Sequence, residues 1–109
     1  MTRPERLTSS PGFRRVLTAG RRVSTPSAVC VVAAGAQGAQ PRVGVTAAHR
    51  IGGAVVRNRA KRLLREAVRH LPLREGVEVV LIARPPITGK TCQEVERDVA
   101  SGLRGAGAC

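Results

Sequence analysis

The sequence predicts a single α/β domain, and three observations lead to this expectation. The chain has 109 residues, enough for one modest core and too few for a second. Valine-rich runs at residues 28–34, 42–47 and 77–82 are typical of strands. Between the last two runs, residues 54–71 repeat apolar side chains at helical spacing. A strand, a helix and a strand therefore follow one another, as in a crossover connection.

The first element along the chain is a predicted helix over residues 10–19. Ser9 or Ser10 can cap it, and Pro11 fits the first turn because proline has no amide hydrogen to leave unpaired there. Gly20 is a natural stop. The apolar positions recur at spacings of three and four and are Phe13, Val16 and Leu17.

Phe13 is the only aromatic residue of the chain. On an amphipathic helix such a ring is usually a core anchor, because it removes a large apolar area from water. An aromatic ring can also stack on the bases of a single-stranded nucleic acid. The residues alone leave both interpretations open.

The strand-like runs differ in their flanks and in their pattern. Residues 28–34 and 42–47 are separated by the glycine- and glutamine-rich stretch 35–41, so we expect them to pair as an antiparallel hairpin. Residues 22–24 add a short edge strand that Pro26 ends. The run 77–82 is nearly continuous in apolar residues, which predicts a central strand covered on both faces.

The second helix is expected to span 54–71 and to stop before Pro72. A last helix is predicted over 92–103, where apolar residues repeat every four positions and Thr91 can serve as the cap. Residues 1–109 form one domain in this interpretation, with flexible ends at 1–8 and 105–109.

The charge balance points to a polyanionic partner. Nineteen lysines and arginines against seven acids give a net charge of +12 and a pI near 11.7. Nucleic acid is the first candidate for such a chain. A membrane is not favoured, since the longest apolar stretch, 28–36, is far shorter than a span. We expect a cytoplasmic protein with no secretory signal, whose widely spaced Cys30, Cys92 and Cys109 stay reduced.

The second helix carries the strongest signal for function. Six cations and one acid occupy residues 57–69. At about 100° per residue, one sector of this helix gathers polar side chains, while the opposite side is apolar. The outward sector holds Asn58, Lys61, Arg62, Arg65 and Arg69, and the predicted apolar side holds Val56, Ala60, Leu63, Leu64, Ala67 and Leu71. Like charges at this spacing repel, so an external anion is expected to relieve them.

Other chemistry is weakly represented. Gly52 and Gly53 leave backbone N–H groups open at the start of this helix, which fits either a phosphate site or a simple tight turn. The seven acids do not form a pattern typical of metal ligands, and His49 and His70 are isolated from any serine or cysteine nucleophile. We therefore expect neither catalytic residues nor a metal site in the protein.

Two segments carry a distinctive pattern. They are Arg42-Val-Gly-Val-Thr and, shortly after it, Arg50-Ile-Gly-Gly-Ala-Val-Val-Arg-Asn-Arg-Ala-Lys-Arg-Leu-Leu-Arg-Glu. Together they closely resemble the bacterial ribonuclease P protein component, whose signature is Arg-Asn-Arg. The resemblance extends to Phe13-Arg-Arg-Val-Leu and to Val79-Val-Leu-Ile-Ala-Arg-Pro, so it covers most of the chain.

The resemblance implies a fold that the residue pattern alone does not. Members of the family form an α/β sandwich of the α+β kind, with three helices and a mixed four-stranded sheet, similar to the second domain of ribosomal protein S5. They have a left-handed β-α-β crossover, whereas general rules favour the right-handed form. The resemblance also implies that the chain joins a catalytic RNA, which uses Mg²⁺ to cleave the 5′ leader from precursor tRNA.

Two sets of site residues follow from the resemblance. One set faces the catalytic RNA and comprises Arg50, Arg57, Asn58, Arg59, Lys61, Arg62, Arg65 and Arg69. The other set lines a cleft that receives the single-stranded leader and comprises Phe13, Leu17 and Val31. Family members often carry further aromatic residues at the positions of Leu17 and Val31. The leader is therefore expected to depend more on charge in this protein.

Two alternatives remain from the charge and the helix alone. A non-catalytic, ribosome-associated RNA-binding protein of similar fold would need the same basic helix. Binding of duplex DNA is disfavoured, because the sequence lacks a helix-turn-helix pattern and a dimerisation signature.

Overall fold

A computed structural model describes residues 4–7 and 10–109. Within those residues it contains five strands and three helices. The strands are β1 (Glu5–Arg6), β2 (Arg21–Ser24), β3 (Ala28–Ala34), β4 (Arg42–Thr46) and β5 (Val77–Ala83). The helices are α1 (Ser10–Ala19), α2 (Ala54–Arg69) and α3 (Cys92–Gly105). Short 3₁₀ turns at His49–Ile51 and Pro85–Gly89 follow β4 and β5.

The strands form one mixed sheet in the order β1-β4-β5-β3-β2. β4 and β5 are parallel neighbours joined through α2, which confirms the predicted strand-helix-strand unit. β3 is antiparallel to β5 on its other edge, and β2 is antiparallel to β3. The mixed α+β architecture is therefore confirmed, with β5 at its centre.

The predicted antiparallel hairpin between residues 28–34 and 42–47 is wrong. β3 and β4 do not pair, because β5 lies between them and pairs with both. β5 is apolar along nearly its whole length and needs cover on both faces, which only a central position provides. The connection from β3 to β4 passes the start of β5, where Gly35 N–H donates to the Gly76 carbonyl at 2.6 Å and Gly76 N–H to the Ala39 carbonyl at 2.8 Å.

The sheet has one strand more than the four expected, because β1 pairs in parallel with β4. Glu5 N–H donates to the Pro41 carbonyl and Leu7 N–H to the Val43 carbonyl, at 2.8 and 2.9 Å. Two residues are too few to show a strand period in a sequence. Leu7 is only 5% exposed, so this described part of the amino end is packed rather than flexible.

The carboxyl end is packed as well, against the expectation of a flexible tail. Ala108 is fully buried, its N–H donates to the Leu103 carbonyl, and its own carbonyl accepts from Arg74 N–H at 2.8 Å. Cys109 is half-buried against the core. The remaining predictions at the amino end, flexibility of residues 1–3 and 8 and a cap at Ser9, lie outside the described residues.

Helices cover both faces of the sheet. α2 and α3 pack together on one face, over a cluster that includes Leu64, Val79, Leu81, Val99 and Leu103. α1 crosses the other face and buries Val16 against Val31 and Val80. Cys30 belongs to the larger cluster, as expected, and burial raises the pKa of its thiol to about 11.

Two close approaches fix how α1 lies on the sheet. A Cβ atom added at Gly20 would come within 2.5 Å of the Val16 carbonyl oxygen and 2.6 Å of the Val31 side chain. A Cβ atom at Gly44 would lie 2.4 Å from the ring of Phe13. Glycine therefore lets the end of α1 and its aromatic ring rest directly on the sheet.

α3 begins at the cap predicted at Thr91, and the structure shows that this cap is a capping box with Glu94. The Thr91 hydroxyl accepts from Glu94 N–H at 3.2 Å, and the Glu94 carboxylate accepts from Thr91 N–H at 3.0 Å. These two bonds satisfy backbone groups that the start of a helix otherwise leaves open. Hydrogen bonding of the Glu94 carboxylate with the Thr91 backbone, and then with the Thr91 side chain, lowers the pKa of Glu94.

Candidate RNA interface

The outward face of α2 carries the predicted cations. Asn58, Arg59, Arg62, Arg65 and Arg69 are exposed, and Arg57 and Lys61 are half-buried. The residues that α2 buries against the sheet and α3 are Ala60, Leu63, Leu64, Ala67 and Val68. The predicted orientation of the helix is therefore confirmed, with the basic sector pointing away from the core.

The first turn of α2 departs from the predicted apolar side. Val56 was expected in the core, yet it is 39% exposed, and Val55 is 83% exposed. Burial on α2 begins only at Ala60, so the helix starts before the core covers it. Leu71 lies beyond the end of α2 and is half-buried.

Acids elsewhere in the fold neutralise several cations but few of those on α2. Glu78 pairs with Arg15 and Arg42, and Asp98 lies 3.9 Å from Lys90 while accepting a 2.6 Å hydrogen bond from Ser27. On α2, Glu66 pairs with Arg69 at 3.3 Å. In the described part of the chain, no carboxylate lies within ion-pair distance of the four cations Arg59, Lys61, Arg62 and Arg65.

Such an unneutralised row is suited to a polyanion. Exposed guanidinium groups offer planar forks that match the oxygens of a phosphate. The repulsion among neighbouring cations on one helix face falls when an anion binds between them. The arrangement can therefore hold a sugar-phosphate backbone without any change in the helix.

The segment that leads into α2 continues the basic surface. Arg50 is exposed in the turn His49–Ile51, which the buried Ile51 anchors to the core. The Arg57 Nε atom donates to the Gly52 carbonyl at 3.2 Å, so the side chain of Arg57 is tied back to this turn. Gly53 caps α2 without a side-chain hydrogen bond.

The other predicted surface lies on the α1 side of the sheet. Phe13 and Leu17 are half-buried, so part of the Phe13 ring and part of the Leu17 side chain remain open to solvent. Val31 is fully buried beneath α1, next to Val16 and Val80. The prediction that Val31 lines a cleft is therefore wrong, because α1 covers it.

Three residues that the sequence reasoning missed lie on this open surface. Val29 and Ile82 are cross-strand neighbours and half-buried, and Thr46 pairs with Ile82 from the other side. Side chains two apart on a strand share a face, so alternation from Val31 and Val80 would have found Val29 and Ile82. The apolar strip, as we call it, consists of Phe13, Leu17, Val29, Thr46 and Ile82.

A buried carboxylate organises the sheet on the same side. Glu78 is 4% exposed and contacts Arg15 from α1 and, at 3.8 Å, Arg42 from β4. Arg42 also lies 3.7 Å from Glu5 of β1. These pairs connect α1, β5, β4 and β1, and they neutralise two cations on the α1 side of the sheet.

Metal-binding clusters and membrane-spanning helices are both absent from residues 4–7 and 10–109. No group of three or more histidine, cysteine or acidic side chains is arranged there to hold a metal ion. No helix in the same residues is long and apolar enough to cross a membrane.

Comparisons with known proteins match both sequence and fold. A family model described as Ribonuclease P matches residues 1–107. The ribonuclease P protein component of Gluconacetobacter diazotrophicus is 40% identical, covering 96% of this chain and 93% of its own length. That of Symbiobacterium thermophilum is also 40% identical, covering 98% and 95%. A solved structure of the Staphylococcus aureus RNase P protein, 24% identical over 94% and 95% of the two chains, has the same fold with a TM-score of 0.83.

Proposed function

The chain belongs to the family of bacterial ribonuclease P protein components, and we propose that it acts in the cytoplasm as the protein subunit of that endoribonuclease. It joins a catalytic RNA, and the holoenzyme removes the 5′ leader from precursor tRNA. The observation that carries this proposal is the row of unneutralised cations on α2. It occurs in a chain whose relatives are named ribonuclease P protein components. A ribosome-associated role is not favoured, because the relatives are ribonuclease P protein components.

In this proposal, α2 and the turn before it bind the catalytic RNA. The contact residues are Arg50, Arg57, Asn58, Arg59, Lys61, Arg62, Arg65 and Arg69. Their exposure and the absence of acidic partners for most of them, within the described residues, support this role. Binding of phosphates by these cations releases condensed counterions and fixes the register of the protein on the RNA.

The apolar strip receives the leader of the precursor tRNA. Its half-buried side chains offer open apolar surface, and Phe13 supplies the ring on which a base can stack. The floor beside it is aliphatic, so stacking is limited to one position. Leu17 stays in the proposed contact set, and Val29, Thr46 and Ile82 replace Val31.

The chemistry of cleavage belongs to the RNA in this proposal. Mg²⁺ at the active site of the catalytic RNA supports hydrolysis of the phosphodiester bond. The residues of this chain bind and position RNA, and the cations of α2 reduce the repulsion between catalytic RNA and substrate. The protein is thus expected to matter most when Mg²⁺ is scarce.

Cleavage of a precursor tRNA at low Mg²⁺ tests the proposal. The rates are measured with the catalytic RNA from the same genome alone, with the wild-type protein added, and with an Arg62→Ala/Arg65→Ala variant added. We expect strong stimulation by the wild type and weak stimulation by the variant. Absence of stimulation by a folded wild-type protein would contradict the proposed function.

A further inference from the structure

A concave pocket of about 360 Å³ lies between β1 and α2. Its cationic wall is made by Arg6 from β1 and by Arg62, Arg65 and Arg69 from α2, and Val43 and Val68 supply apolar lining. The arginines of α2 alone would form a convex surface. β1 adds a second wall, so that a ligand in the pocket meets guanidinium groups from two elements.

The register of β1 explains why Arg6 faces this pocket. Side chains alternate along a strand, so Glu5 and Leu7 point to one face and Arg6 to the other. Leu7 is buried on the α1 side, and Glu5 lies 3.7 Å from Arg42. Arg6 therefore shares the face of Val43, its partner in β4, and points towards α2.

The pocket holds more positive charge than its acids neutralise. Glu66 pairs with Arg69, and Glu5 is engaged by Arg42. Among the described residues, Arg6, Arg62 and Arg65 have neither an ion pair nor a side-chain hydrogen bond to another group. Partial burial, and then the nearby charge of Arg6, lower the pKa of Arg65.

We propose that this pocket is a binding site for a backbone phosphate of the catalytic RNA, held jointly by Arg6, Arg62 and Arg65. The inference rests on the proposed function for the identity of the RNA, and it adds a contact from β1 that α2 alone does not supply. A phosphate suits the site because its oxygens accept from several guanidinium forks at once. Its negative charge also removes the mutual repulsion of the three arginines.

The variant Arg6→Gln tests the pocket, with Arg104→Gln as the matched control. Both remove one charge from an exposed arginine, and Arg104 lies at the end of α3, away from the pocket. β1 is held by backbone hydrogen bonds and by Leu7, so Arg6→Gln leaves the fold intact. Arg6→Lys retains the charge but loses the planar fork.

The first measurement is the Tm in rising inorganic phosphate, compared with sodium chloride at equal ionic strength. A ligand that binds the folded state raises the Tm as its concentration increases. We expect a phosphate-specific rise for the wild type and for Arg104→Gln, a smaller rise for Arg6→Gln, and an intermediate one for Arg6→Lys. Equal rises for Arg6→Gln and Arg104→Gln would overturn the phosphate site.

The second measurement is the affinity for the catalytic RNA over a series of salt concentrations. Weaker neutralisation of a phosphate that three arginines share reduces the slope of log affinity against log salt by up to about 0.9. We expect this reduction for Arg6→Gln and none for Arg104→Gln. An Arg6 effect on inorganic phosphate with an unchanged RNA slope would overturn the assignment to RNA and favour a free phosphate compound.

A combination of Arg6→Gln with Arg65→Gln separates a shared phosphate from two independent ones. If both arginines hold the same phosphate, their effects on affinity are non-additive, and the double variant loses less than the sum of the two. Strict additivity would overturn the joint site. The wild-type protein could fail to stimulate cleavage and still show the Arg6-dependent effect of phosphate on the Tm. That result would contradict the proposed function but would still support a phosphate site in the pocket.

Discussion

The two faces of the sheet present different surfaces to RNA. On the α2 side, exposed cations have few acidic partners among the described residues, and the binding energy should come from charge. On the α1 side, Glu78 pairs with Arg15 and Arg42, and the open surface includes the apolar strip and the exposed Arg14 of α1. The one buried carboxylate among the described residues, Glu78, lies on the α1 face of β5, whereas the row of unneutralised cations lies on the α2 side.

This difference suggests a division of work between the faces. Phosphate contacts carry no sequence information and depend steeply on salt, as expected for a permanent attachment to one RNA. Apolar contacts to unpaired bases depend weakly on salt and tolerate many sequences, as a substrate leader requires. We therefore expect the two surfaces to respond differently to the same variants and conditions.

The largest effect is expected for Arg62→Ala/Arg65→Ala on α2. Each lost charge-assisted hydrogen bond should weaken binding of the catalytic RNA by about 1.5–3 kcal/mol. Because both arginines hold the same phosphate in the proposed pocket, the slope of log affinity against log salt should fall by up to about 0.9. Filter binding over a salt series measures both quantities.

The matched control for this prediction is Arg97→Ala/Arg104→Ala, which removes two exposed arginines from α3. It should leave the slope nearly unchanged. Circular dichroism should show both double variants folded, because all four side chains point outward. An equal loss of slope in the two double variants would mean that net charge, and not the face of α2, determines binding.

A smaller effect is expected for Phe13→Ala on the apolar strip. Loss of a stacking ring should weaken the leader contribution by about 1–3 kcal/mol. That contribution is the difference in affinity between a precursor tRNA with its leader and one without it. The salt slope for the catalytic RNA should not change, since no charge is removed.

Phe13→Leu separates stacking from packing in this experiment. Leucine keeps an apolar side chain over Gly44 but offers no ring face. We expect it to preserve most of the Tm and to lose the leader contribution. If Phe13→Leu binds the leader as tightly as the wild type, the ring acts only as a core anchor.

Glu78→Gln should make the α1 side of the sheet more like the α2 side in its positive charge. Arg15 would lose its acidic partner, and Arg42 would keep only Glu5, at 3.7 Å, on the α1 side. Loss of these buried contacts should lower the free energy of unfolding by about 1–3 kcal/mol. Leader binding should become more salt-dependent, by about 0.7 in slope for each new phosphate contact to a single strand.

Glu66→Gln is the control for the loss of a carboxylate. Glu66 pairs with Arg69 on the exposed surface of α2, where such a pair contributes at most about 1 kcal/mol. Its effect on the Tm should be small, and the salt dependence of leader binding should stay as in the wild type. A leader slope that Glu78→Gln leaves unchanged would show that Arg15 and Arg42 do not reach the leader.

The sequence was sufficient to predict those features of the structure that a local pattern of residues determines. The period of α2 placed Arg62 and Arg65 outward, and the apolar run of β5 placed it at the centre. Thr91 just before the apolar repeat of residues 92–103 predicted the cap of α3. Each of these features depends on residues close together in the chain, and so a single sequence records it.

The sequence was insufficient to predict features that depend on contacts between elements far apart in the chain. The pairing of β5 between β3 and β4 depends on competition among strands, which no local pattern expresses. Val31 and Val29 share one face of β3, but α1 covers only Val31 fully. Where a helix crosses a sheet depends on close approaches such as that of Phe13 to Gly44, so the residues of the apolar strip could not be separated from the core beneath it.

The smallest effect on RNA binding is expected for Thr91→Ala at the start of α3. This position lies outside both proposed RNA surfaces and serves as a reference. Hydrogen bonds from the Thr91 backbone and hydroxyl lower the pKa of Glu94 from its ordinary 4.5. Because the folded pKa is the lower one, this stabilisation is fully present above about pH 4.5 and is lost as the pH falls through the folded pKa. Thr91→Ala should lower the Tm by a few degrees at neutral pH and reduce the acid dependence of the Tm. Neither the salt slope for the catalytic RNA nor the leader contribution should change, and a shift in either would mean that α3 takes part in an RNA surface.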